Sequence, residues 1–320
     1  MNANTRDQMK IFGGSANPAL TRRICDYLDL PVGQGTITTF PDGEMLIKLE
    51  EDVRGRDIFL IQPTCPPVNQ NIVELLIWLD CLRRASAWRI TAVLPYFGYA
   101  RQDRKDEGRV PITAKLMANL ITTAGANRVL TIDLHAAQVQ GFFDIPLDHL
   151  SAEPVLGAYY ARQKLDDLVL VSPDVGNAKR ARLYAQRLGG QLAIIDKLRL
   201  SPERTVAGAI IGDVRDKTVL MMDDLITTAG TITEAAKLVR SQGARRVLVG
   251  VTHPLLCGPA VERLAEGHID QIVVTDTIPI QPEAVEALKG RLTVLSISEL
   301  LGEAIRRIHC HESVSSLFLK

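Results

Sequence analysis

Two adjacent acids followed by a turn rich in threonine and small residues stand within residues 219–234, which read VLMMDDLITTAGTITE. The apolar residues predict a buried strand that ends at Asp223 and Asp224. A loop that enters a helix carries unpaired N–H groups and the positive end of the helix dipole, and both attract anions. Two carboxylates would repel that anion unless they contact another part of the same ligand. The stretch therefore predicts a ligand with a phosphate end and a sugar body whose hydroxyl groups donate to the acids, with Mg²⁺ nearby to neutralise them.

The loop after the acids is built from residues that suit close contact with phosphate. Gly230 and the small Ala229 would let the backbone approach a ligand. Hydroxyl groups that can donate to phosphate oxygens are carried by Thr227, Thr228 and Thr231. Thr231 with Glu234 also fits a capping box, so an exposed acidic turn followed by a capped helix is the alternative interpretation.

A second polar stretch, YFGYARQDRKDEGRVP at residues 96–111, also follows an apolar run. Because ligands of open parallel sheets bind beyond the carboxyl ends of the strands, this loop is a second candidate for ligand binding. A charged loop in contact with solvent alone is the alternative.

Apolar runs that end in polar groups predict the elements that position both loops. They cover residues 57–64, 89–96, 127–135, 168–174, 191–197, 218–224, 245–253 and 271–276. Their Val/Ile/Leu content without alternation is typical of strands buried on both faces, and segments of helical spacing lie between them. This alternation predicts an α/β fold with mainly parallel sheets flanked by helices.

An internal repeat predicts the domain organisation. GANRVL begins at Gly125 and GARRVL at Gly243, an offset of 243 − 125 = 118 that also carries His135 onto His253. We expect two similar α/β domains, at residues 1–150 and 151–305, with a tail at 306–320 that packs on the first domain.

Composition limits the partners and the compartment. Of the 320 residues, 37 are basic and 37 acidic, so no global field attracts nucleic acid or an anionic membrane. No apolar stretch is long enough to span a bilayer, and the first residues lack the apolar segment of a secretory signal. Five scattered cysteines favour neither disulfides nor zinc and predict a cytoplasmic protein.

Several further motifs resemble one family over almost the whole chain. RQDRK (101–105), DLHAAQVQGFFDIP (133–146), VSPDVG (171–176) and IIDKLR (194–199) are similar to segments of class I ribose-phosphate diphosphokinases. The resemblance implies two domains of the type I phosphoribosyltransferase fold. It also implies transfer of the β,γ-diphosphoryl group of MgATP to the C1 hydroxyl of ribose 5-phosphate, with release of AMP.

The resemblance also implies a role for each matching residue. Asp223, with Asp224 beside it, would hold the ribose hydroxyls, and the loop from Thr227 to Thr231 would hold the 5-phosphate. Lys197 and Arg199 would stabilise the diphosphoryl group in transit, and Arg199 would also contact ribose 5-phosphate. His135 and Asp174 would be ligands of Mg²⁺. ATP would be bound by Arg101 and Gln102 and, from a neighbouring subunit, by Phe40, Asp42, Gly43 and Glu44 of the FPDGE segment. The resemblance further implies a homohexamer that responds to phosphate and ADP.

Three positions depart from the pattern of the family. Thr227 stands where an Asp is usual, Asn177 where a glycine is common, and Leu198 where a basic residue is frequent. A non-catalytic regulatory subunit is therefore the alternative function. A phosphoribosyltransferase would have one such domain and no ATP loop, and a dinucleotide oxidoreductase would need a glycine fingerprint that this chain lacks.

Overall fold

The chain folds into two compact α/β units. The computed structural model describes residues 8–201 and 204–317, with the backbone alone at residues 175, 197–201 and 204–208. The first unit takes in the described residues up to Ser151, together with Thr277–Pro279 and the described residues from Ser296 onward. The second unit consists of Ala152–Asp276 and Ile280–Leu295.

A five-stranded parallel sheet forms the centre of the first unit. Its strands are β1 (Met9–Gly13), β4 (Asp57–Ile61), β5 (Arg89–Leu94), β6 (Arg128–Ile132) and β7 (Leu147–Leu150), in the order β1-β4-β5-β6-β7. Helices Pro18–Leu28, Val68–Arg84 and Thr113–Ala124 connect them. β4 is buried at all five positions, as its apolar sequence predicts.

A separate antiparallel hairpin also belongs to this unit. Strands β2 (Gly35–Thr39) and β3 (Met45–Leu49) pair in register from Gly35 with Leu49 to Thr39 with Met45. The five residues of the FPDGE segment form its loop, in which Gly43 has the positive φ of 92° that glycine accommodates without strain.

The C-terminal helix, Ser298–His309, belongs to the first unit, and this corrects the predicted domain boundary at residue 305. It lies against helix Pro18–Leu28, where the absence of a side chain at Gly302 lets the Tyr27 ring approach closely. Leu301, Ala304 and Ile305 are fully buried. The sequence misled here because helical spacing continues through residue 305 without any local sign of which core the helix joins.

A seven-stranded sheet forms the centre of the second unit. Its strands are β8 (Leu168–Ser172), β9 (Gln191–Ser201), β10 (Arg204–Ile211), β11 (Thr218–Ile226), β12 (Arg246–Pro254), β13 (Gln271–Thr275) and β14 (Leu292–Leu295). The order is β10-β9-β8-β11-β12-β13-β14, and among the described strands of this sheet only the β9–β10 pair is antiparallel. Helices Glu153–Arg162, Ala178–Leu188, Gly230–Ser241, Ala260–Ala265 and Pro282–Ala287 complete the unit.

The two units repeat a strand–helix–strand module. Helix Thr113–Ala124 joins β5 to its parallel neighbour β6, and helix Gly230–Ser241 joins β11 to its parallel neighbour β12. The first residues of β6 and β12, Arg128 and Arg246, lie 246 − 128 = 118 positions apart, the offset seen in the sequence. The predicted fold, two similar α/β domains with mainly parallel sheets, is confirmed. None of the described helices combines the length and the apolar character needed to cross a membrane.

Candidate active site

The acid pair lies at the carboxyl end of β11 and is held by two neighbouring side chains. The Asp223 Oδ1 atom accepts hydrogen bonds from the Asp224 N–H at 2.9 Å and from the Asn177 amide at 3.3 Å. The Arg180 Nη1 atom lies 3.1 Å from the Asp224 Oδ1 atom and 3.7 Å from the Asp223 Oδ1 atom. Asn177 also donates to the Met222 carbonyl at 2.7 Å, which fixes its amide beside Asp223.

Asp223 is poised to receive a hydrogen-bond donor or a cation. Burial first, and then the negative charge of Asp224, raise the pKa of Asp223 to about 7, and the charge of Arg180 opposes this shift only in part. Its side chain is still 26% exposed, against 9% for Asp224, so a ligand can reach it. Hydroxyl groups that donate to Asp223 would stabilise its charged form.

The loop after the acids turns its carbonyl groups to the protein. The Thr227 carbonyl accepts from the Cys257 N–H at 2.8 Å, and the Thr228 carbonyl accepts from the Arg263 Nη1 atom at 2.9 Å. In a trans peptide the following N–H points the opposite way. Within the described chain, the N–H groups of residues 228–232 donate to no backbone carbonyl. Such a run of free N–H groups at a helix N-terminus is an anion-binding arrangement.

The predicted capping box at Thr231 and Glu234 is wrong. Helix Gly230–Ser241 begins one residue before Thr231, and its N-cap is Ala229, at φ 59°, without a side-chain hydrogen bond. The left-handed turn at Ala229 starts the helix before Thr231 can cap it. Free N–H groups therefore replace the capped helix of the alternative interpretation.

Gly230 leaves space that the protein itself does not need. A Cβ atom there would lie 3.4 Å from the Arg263 Nη1 atom and 3.9 Å from the Thr228 Oγ1 atom, which are ordinary contact distances. Neither packing nor a left-handed backbone requires glycine at this position. The missing side chain instead fits the close approach of a ligand to the loop.

The two predicted metal ligands lie at strand ends, each in its own unit. His135 is exposed and follows β6, and the half-buried Asp174 follows β8. The Asp174 Oδ1 atom accepts from the Asn177 N–H at 2.9 Å. Among the residues that the structure describes, no three His, Cys, Asp or Glu side chains form a group that could hold a metal ion. A single carboxylate such as Asp174 is a ligand that Mg²⁺ accepts together with water and substrate phosphates, whereas the imidazole of His135 is not an oxygen ligand.

The charged loop after β5 lines a pocket of about 500 Å³ in the first unit. The pocket is formed by four residues of the loop and two from helix Val68–Arg84: Tyr96, Tyr99, Arg101 and Gln102, with Val68 and Asn69. Gln102 is fixed by its backbone carbonyl, which accepts from the Ala114 N–H at 3.1 Å, and by the Thr113 hydroxyl at 2.5 Å from its side chain. Arg101 is exposed and forms no ion pair with the described residues. The loop thus combines a fixed amide, an available cation and aromatic walls.

The FPDGE segment is the exposed tip of the β2–β3 hairpin. Phe40 is 43% exposed, and the loop is closed by the Phe40 N–H, which donates to the Glu44 carbonyl at 2.8 Å. Asp42 accepts from the Glu44 N–H at 3.1 Å. The structure therefore presents these residues outward, away from the core.

Lys197 and Arg199 lie on β9, and their side chains are outside the described residues. The backbone pairs Lys197 with Ala207 and Arg199 with Thr205 of β10. The two residues stand two positions apart on this strand. Their catalytic role stays a prediction.

Sequence reasoning missed the residues that support the acids and the loop. Arg180 belongs to helix Ala178–Leu188, and Arg263 belongs to helix Ala260–Ala265, 35 positions after Thr228. Neither stands in a motif that predicts these contacts. The charge pattern gave no usable signal, because an arginine on a short helix is ordinary.

Comparisons with known proteins agree with this architecture. A family model described as the N-terminal domain of ribose phosphate pyrophosphokinase matches residues 9–125, and a model described as the phosphoribosyl synthetase-associated domain matches residues 199–319. The chain is 57% identical over 314 residues to a ribose-phosphate pyrophosphokinase of Rhodopirellula baltica, covering 97% of this chain and 98% of the relative. A protein of the same name from Oceanobacillus iheyensis is 50% identical, with 97% of each chain covered.

A solved structure extends the likeness to three dimensions. The phosphoribosylpyrophosphate synthetase of Mycobacterium smegmatis superposes with a TM-score of 0.89 at 42% identity, over 95% of this chain and 99% of that one. Identity at this level over nearly the whole length shows common family as well as common fold. The chain therefore belongs to the family of ribose-phosphate pyrophosphokinases.

Proposed function

We propose that this protein transfers the β,γ-diphosphoryl group of MgATP to the C1 hydroxyl of ribose 5-phosphate. The C1 oxygen forms a bond to the β-phosphorus, the bond between that phosphorus and the α,β-bridging oxygen breaks, and AMP leaves. The hydroxyl proton passes to solvent, and the other product is 5-phosphoribosyl 1-diphosphate, a precursor for nucleotide biosynthesis. The observation that carries this proposal is the acid pair beside a loop of free N–H groups at the end of β11.

The second unit binds the sugar phosphate in this proposal. The carboxylates of Asp223 and Asp224 accept hydrogen bonds from ribose hydroxyls, and the loop from Thr227 to Thr231 binds the 5-phosphate through N–H and hydroxyl groups. The negatively charged phosphate is attracted to the positive N-terminal end of the helix, and the neutral sugar hydroxyls can donate hydrogen bonds to the acids. Thr227 supplies a hydroxyl where relatives usually have a carboxylate.

The first unit binds ATP in this proposal. Arg101 contacts the phosphates as a cation, and Gln102, held by Thr113, contributes a fixed amide. The exposed hairpin tip, with Phe40, Asp42, Gly43 and Glu44, reaches the adenine of a neighbouring subunit. Exposure of this tip supports the role, because a ring that is 43% exposed is accessible to a neighbouring subunit.

Diphosphoryl transfer depends mainly on positioning and on neutralising charge. Lys197 and Arg199 supply positive charge to the group in transit, and Arg199 also contacts ribose 5-phosphate. His135 and Asp174, each in its own unit, would bind Mg²⁺, and the metal would supply positive charge that neutralises phosphate oxygens. Asp174 is oriented for this by the Asn177 N–H.

We infer a cytoplasmic homohexamer with phosphate and ADP as effectors, in line with the family resemblance. All five cysteines are free, which supports a reducing compartment. Relatives named as pyrophosphokinases match 97% of this chain at 50–57% identity, which favours the enzyme over a regulatory subunit.

Release of AMP tests the proposal. Purified protein is incubated with MgATP and phosphate, with and without ribose 5-phosphate, and the nucleotides are separated by chromatography. AMP that forms only with the sugar supports diphosphoryl transfer. ADP as the nucleotide product would indicate an ordinary kinase, and no turnover would favour the regulatory subunit.

A further inference from the structure

Arg263 connects helix Ala260–Ala265 to the proposed phosphate-binding loop. Its Nη1 atom donates to the Thr228 carbonyl at 2.9 Å and lies 3.4 Å from the position of a Cβ atom at Gly230. The guanidinium therefore lies directly beside the N-terminus of helix Gly230–Ser241. The loop sequence itself, LITTAGTIT, contains no cation.

The hydrogen bond from Arg263 fixes the direction of one peptide group. Since the Thr228 carbonyl points to Arg263, the N–H of Ala229 in the same trans peptide points the opposite way. The Cys257 N–H holds the preceding carbonyl, that of Thr227, at 2.8 Å in the same manner. Two anchors on the protein side thus direct two consecutive N–H groups to the ligand side.

Arg263 also has donors to spare. A guanidinium carries five N–H groups, and within the described chain this one donates a single hydrogen bond, to the Thr228 carbonyl. Its charge reaches Glu266, where it helps to lower the pKa of that carboxyl after the stronger effect of Lys237. The nearby Lys237 is instead engaged by Glu266 at 2.9 Å and by Glu234 at 3.6 Å.

We propose that Arg263 is a positioning residue for the 5-phosphate, which it serves by holding the Thr228–Ala229 peptide and by placing a positive charge beside the loop. This inference rests on the proposed function, because it assigns the loop to ribose 5-phosphate. It predicts that Arg263 affects recognition of the phosphate end of the substrate and leaves ATP binding largely unchanged.

Arg263→Gln and Arg263→Lys test the proposal, with Arg246→Gln as the matched control. Arg246 is exposed at the opposite, amino-terminal end of β12, so its variant removes the same charge far from the loop. In the AMP-release assay we expect Arg263→Gln to raise the KM for ribose 5-phosphate roughly 10- to 100-fold, since charge-assisted hydrogen bonds are lost. The KM for ATP should change less than about twofold by the same reasoning.

Calorimetry separates the phosphate from the sugar. Wild-type protein should bind ribose 5-phosphate much more tightly than ribose, and Arg263→Gln should lose most of that preference. Arg263→Lys keeps the charge and an N–H donor group but not the planar guanidinium, so it should recover part of the affinity, and it replaces the glutamine variant if that variant does not fold.

Three results decide the matter. An unchanged KM for ribose 5-phosphate in Arg263→Gln, or an equal rise in the KM for ATP, would overturn the role of Arg263 while the enzyme assignment stands. Wild-type protein that binds ribose 5-phosphate without releasing AMP would reject the reaction and leave the calorimetric comparison to judge Arg263. Wild-type protein that does not bind ribose 5-phosphate would overturn both.

Discussion

The pKa of Asp223 is shifted in the direction opposite to the pKa values of Asp80 and Glu303. Hydrogen bonds from Arg84 and Arg306 lower the pKa of Asp80 and Glu303, respectively. The pKa of Asp223 is raised to about 7 because the carboxyl group is buried beside the negative charge of Asp224, and the positive charge of Arg180 offsets this only in part. A carboxyl group that is costly to ionise in the free protein is one that a ligand rich in donors can stabilise.

The proposed role of Asp223 gives activity a pH dependence. Below pH 7 the group is mostly protonated and accepts ribose hydroxyls poorly, so kcat/KM for ribose 5-phosphate should rise about tenfold from pH 6 to pH 8. Asp223→Asn should be much less active, and its residual profile should lack this step, which separates the carboxyl group from the titration of the substrate phosphate. If the pH profile of kcat/KM for the wild-type protein, divided by that of Asp223→Asn, is flat, the role of the Asp223 carboxylate is contradicted.

The raised pKa of Asp223 also makes the stability of the folded protein depend on pH. The folded-state pKa of about 7 exceeds the ordinary value of 3.8, so the folded state binds this proton more tightly than the unfolded state does. The contribution of Asp223 is therefore favourable below pH 3.8 and is lost as pH rises to about 7. Asp223→Asn should raise Tm more at pH 8 than at pH 5, as followed by circular dichroism. An equal change at both values would mean that Asp223 is not destabilised by ionisation.

Gly230 offers a test of the loop without a change of charge. Gly230→Ala meets no atom closer than 3.4 Å, and alanine favours the helix by about 0.5–1 kcal/mol, so Tm should stay or rise. If phosphate lies against the loop, the added methyl group should raise the KM for ribose 5-phosphate at least about tenfold, because such contacts tolerate little displacement. Gly141→Ala, at another glycine with open space around it, is the control and should leave both quantities unchanged. Unaltered KM in Gly230→Ala would show that the phosphate binds elsewhere.

At the scale of elements, the eight apolar runs identified in the sequence are the interior strands of the two sheets. β4, β5 and β6 are interior in the first sheet, and β8, β9, β11, β12 and β13 in the second. The missed strands are the edges β1, β7, β10 and β14, together with the exposed β2–β3 hairpin. An edge strand such as β14, half-buried along most of its length, needs no continuous apolar run and so carries a weaker signal.

The candidate site likewise contains residues that could be predicted from the sequence and residues that could not. The acids and the loop follow β11 directly, so their position could be predicted from the rule that ligands bind at the carboxyl ends of strands. Arg180 and Arg263 reach the site from other helices. Their contacts depend on tertiary packing, which a local pattern does not encode.

The β9–β10 hairpin carries the residues proposed to act on the diphosphoryl group. Lys197 and Arg199 stand two positions apart on β9, where their backbone pairs with β10. Lys197→Ala should lower kcat roughly 10²- to 10³-fold, because it removes charge that is preorganised for the transition state. The dissociation constant of ribose 5-phosphate, measured by calorimetry, should change little. Lys289→Ala, on an exposed turn of the second unit, is the control. Equal losses in turnover and affinity would reassign Lys197 to substrate binding.

At the scale of the whole molecule, the exposed hairpin tip makes the proposed ATP site depend on assembly. If Phe40 serves the site of a neighbour, Phe40→Ala and Lys197→Ala should each be nearly inactive, but coexpressed subunits should recover activity. In the mixed assembly, a subunit with intact Lys197 can receive Phe40 from its neighbour. Coexpression of Phe40→Ala with Asp42→Ala is the control and should not recover to the same extent, since both changes damage the same loop. The absence of recovery in the first mixture would place Phe40 in the site of its own subunit.

The first unit is completed by the far end of the chain. Asp57, at the start of β4 and 1% exposed, contacts the His309 Nδ1 atom at 2.7 Å, while Arg89 at the start of β5 donates to Asp57 at 2.8 Å and to the Ile308 carbonyl at 3.2 Å. This network attaches the C-terminal helix to the parallel sheet, and Leu301, Ala304 and Ile305 of the helix are buried. A first domain that ends near residue 150 therefore lacks part of its own core.

Shortening the chain tests this completion. A protein that ends at Leu295 loses the C-terminal helix, which uncovers apolar side chains and leaves the buried Asp57 without its contact to His309, and both changes are destabilising. Hydrogen exchange, followed by mass spectrometry, should therefore speed up in β4 and β5 by much more than in β11 and β12, which serve as the internal reference. A protein that ends at Glu312 keeps His309 and Ile308 and should retain most of the protection, which separates loss of the helix from loss of the last residues. Equal protection of β4 in the two shortened proteins would mean that the helix covers the first unit without stabilising it.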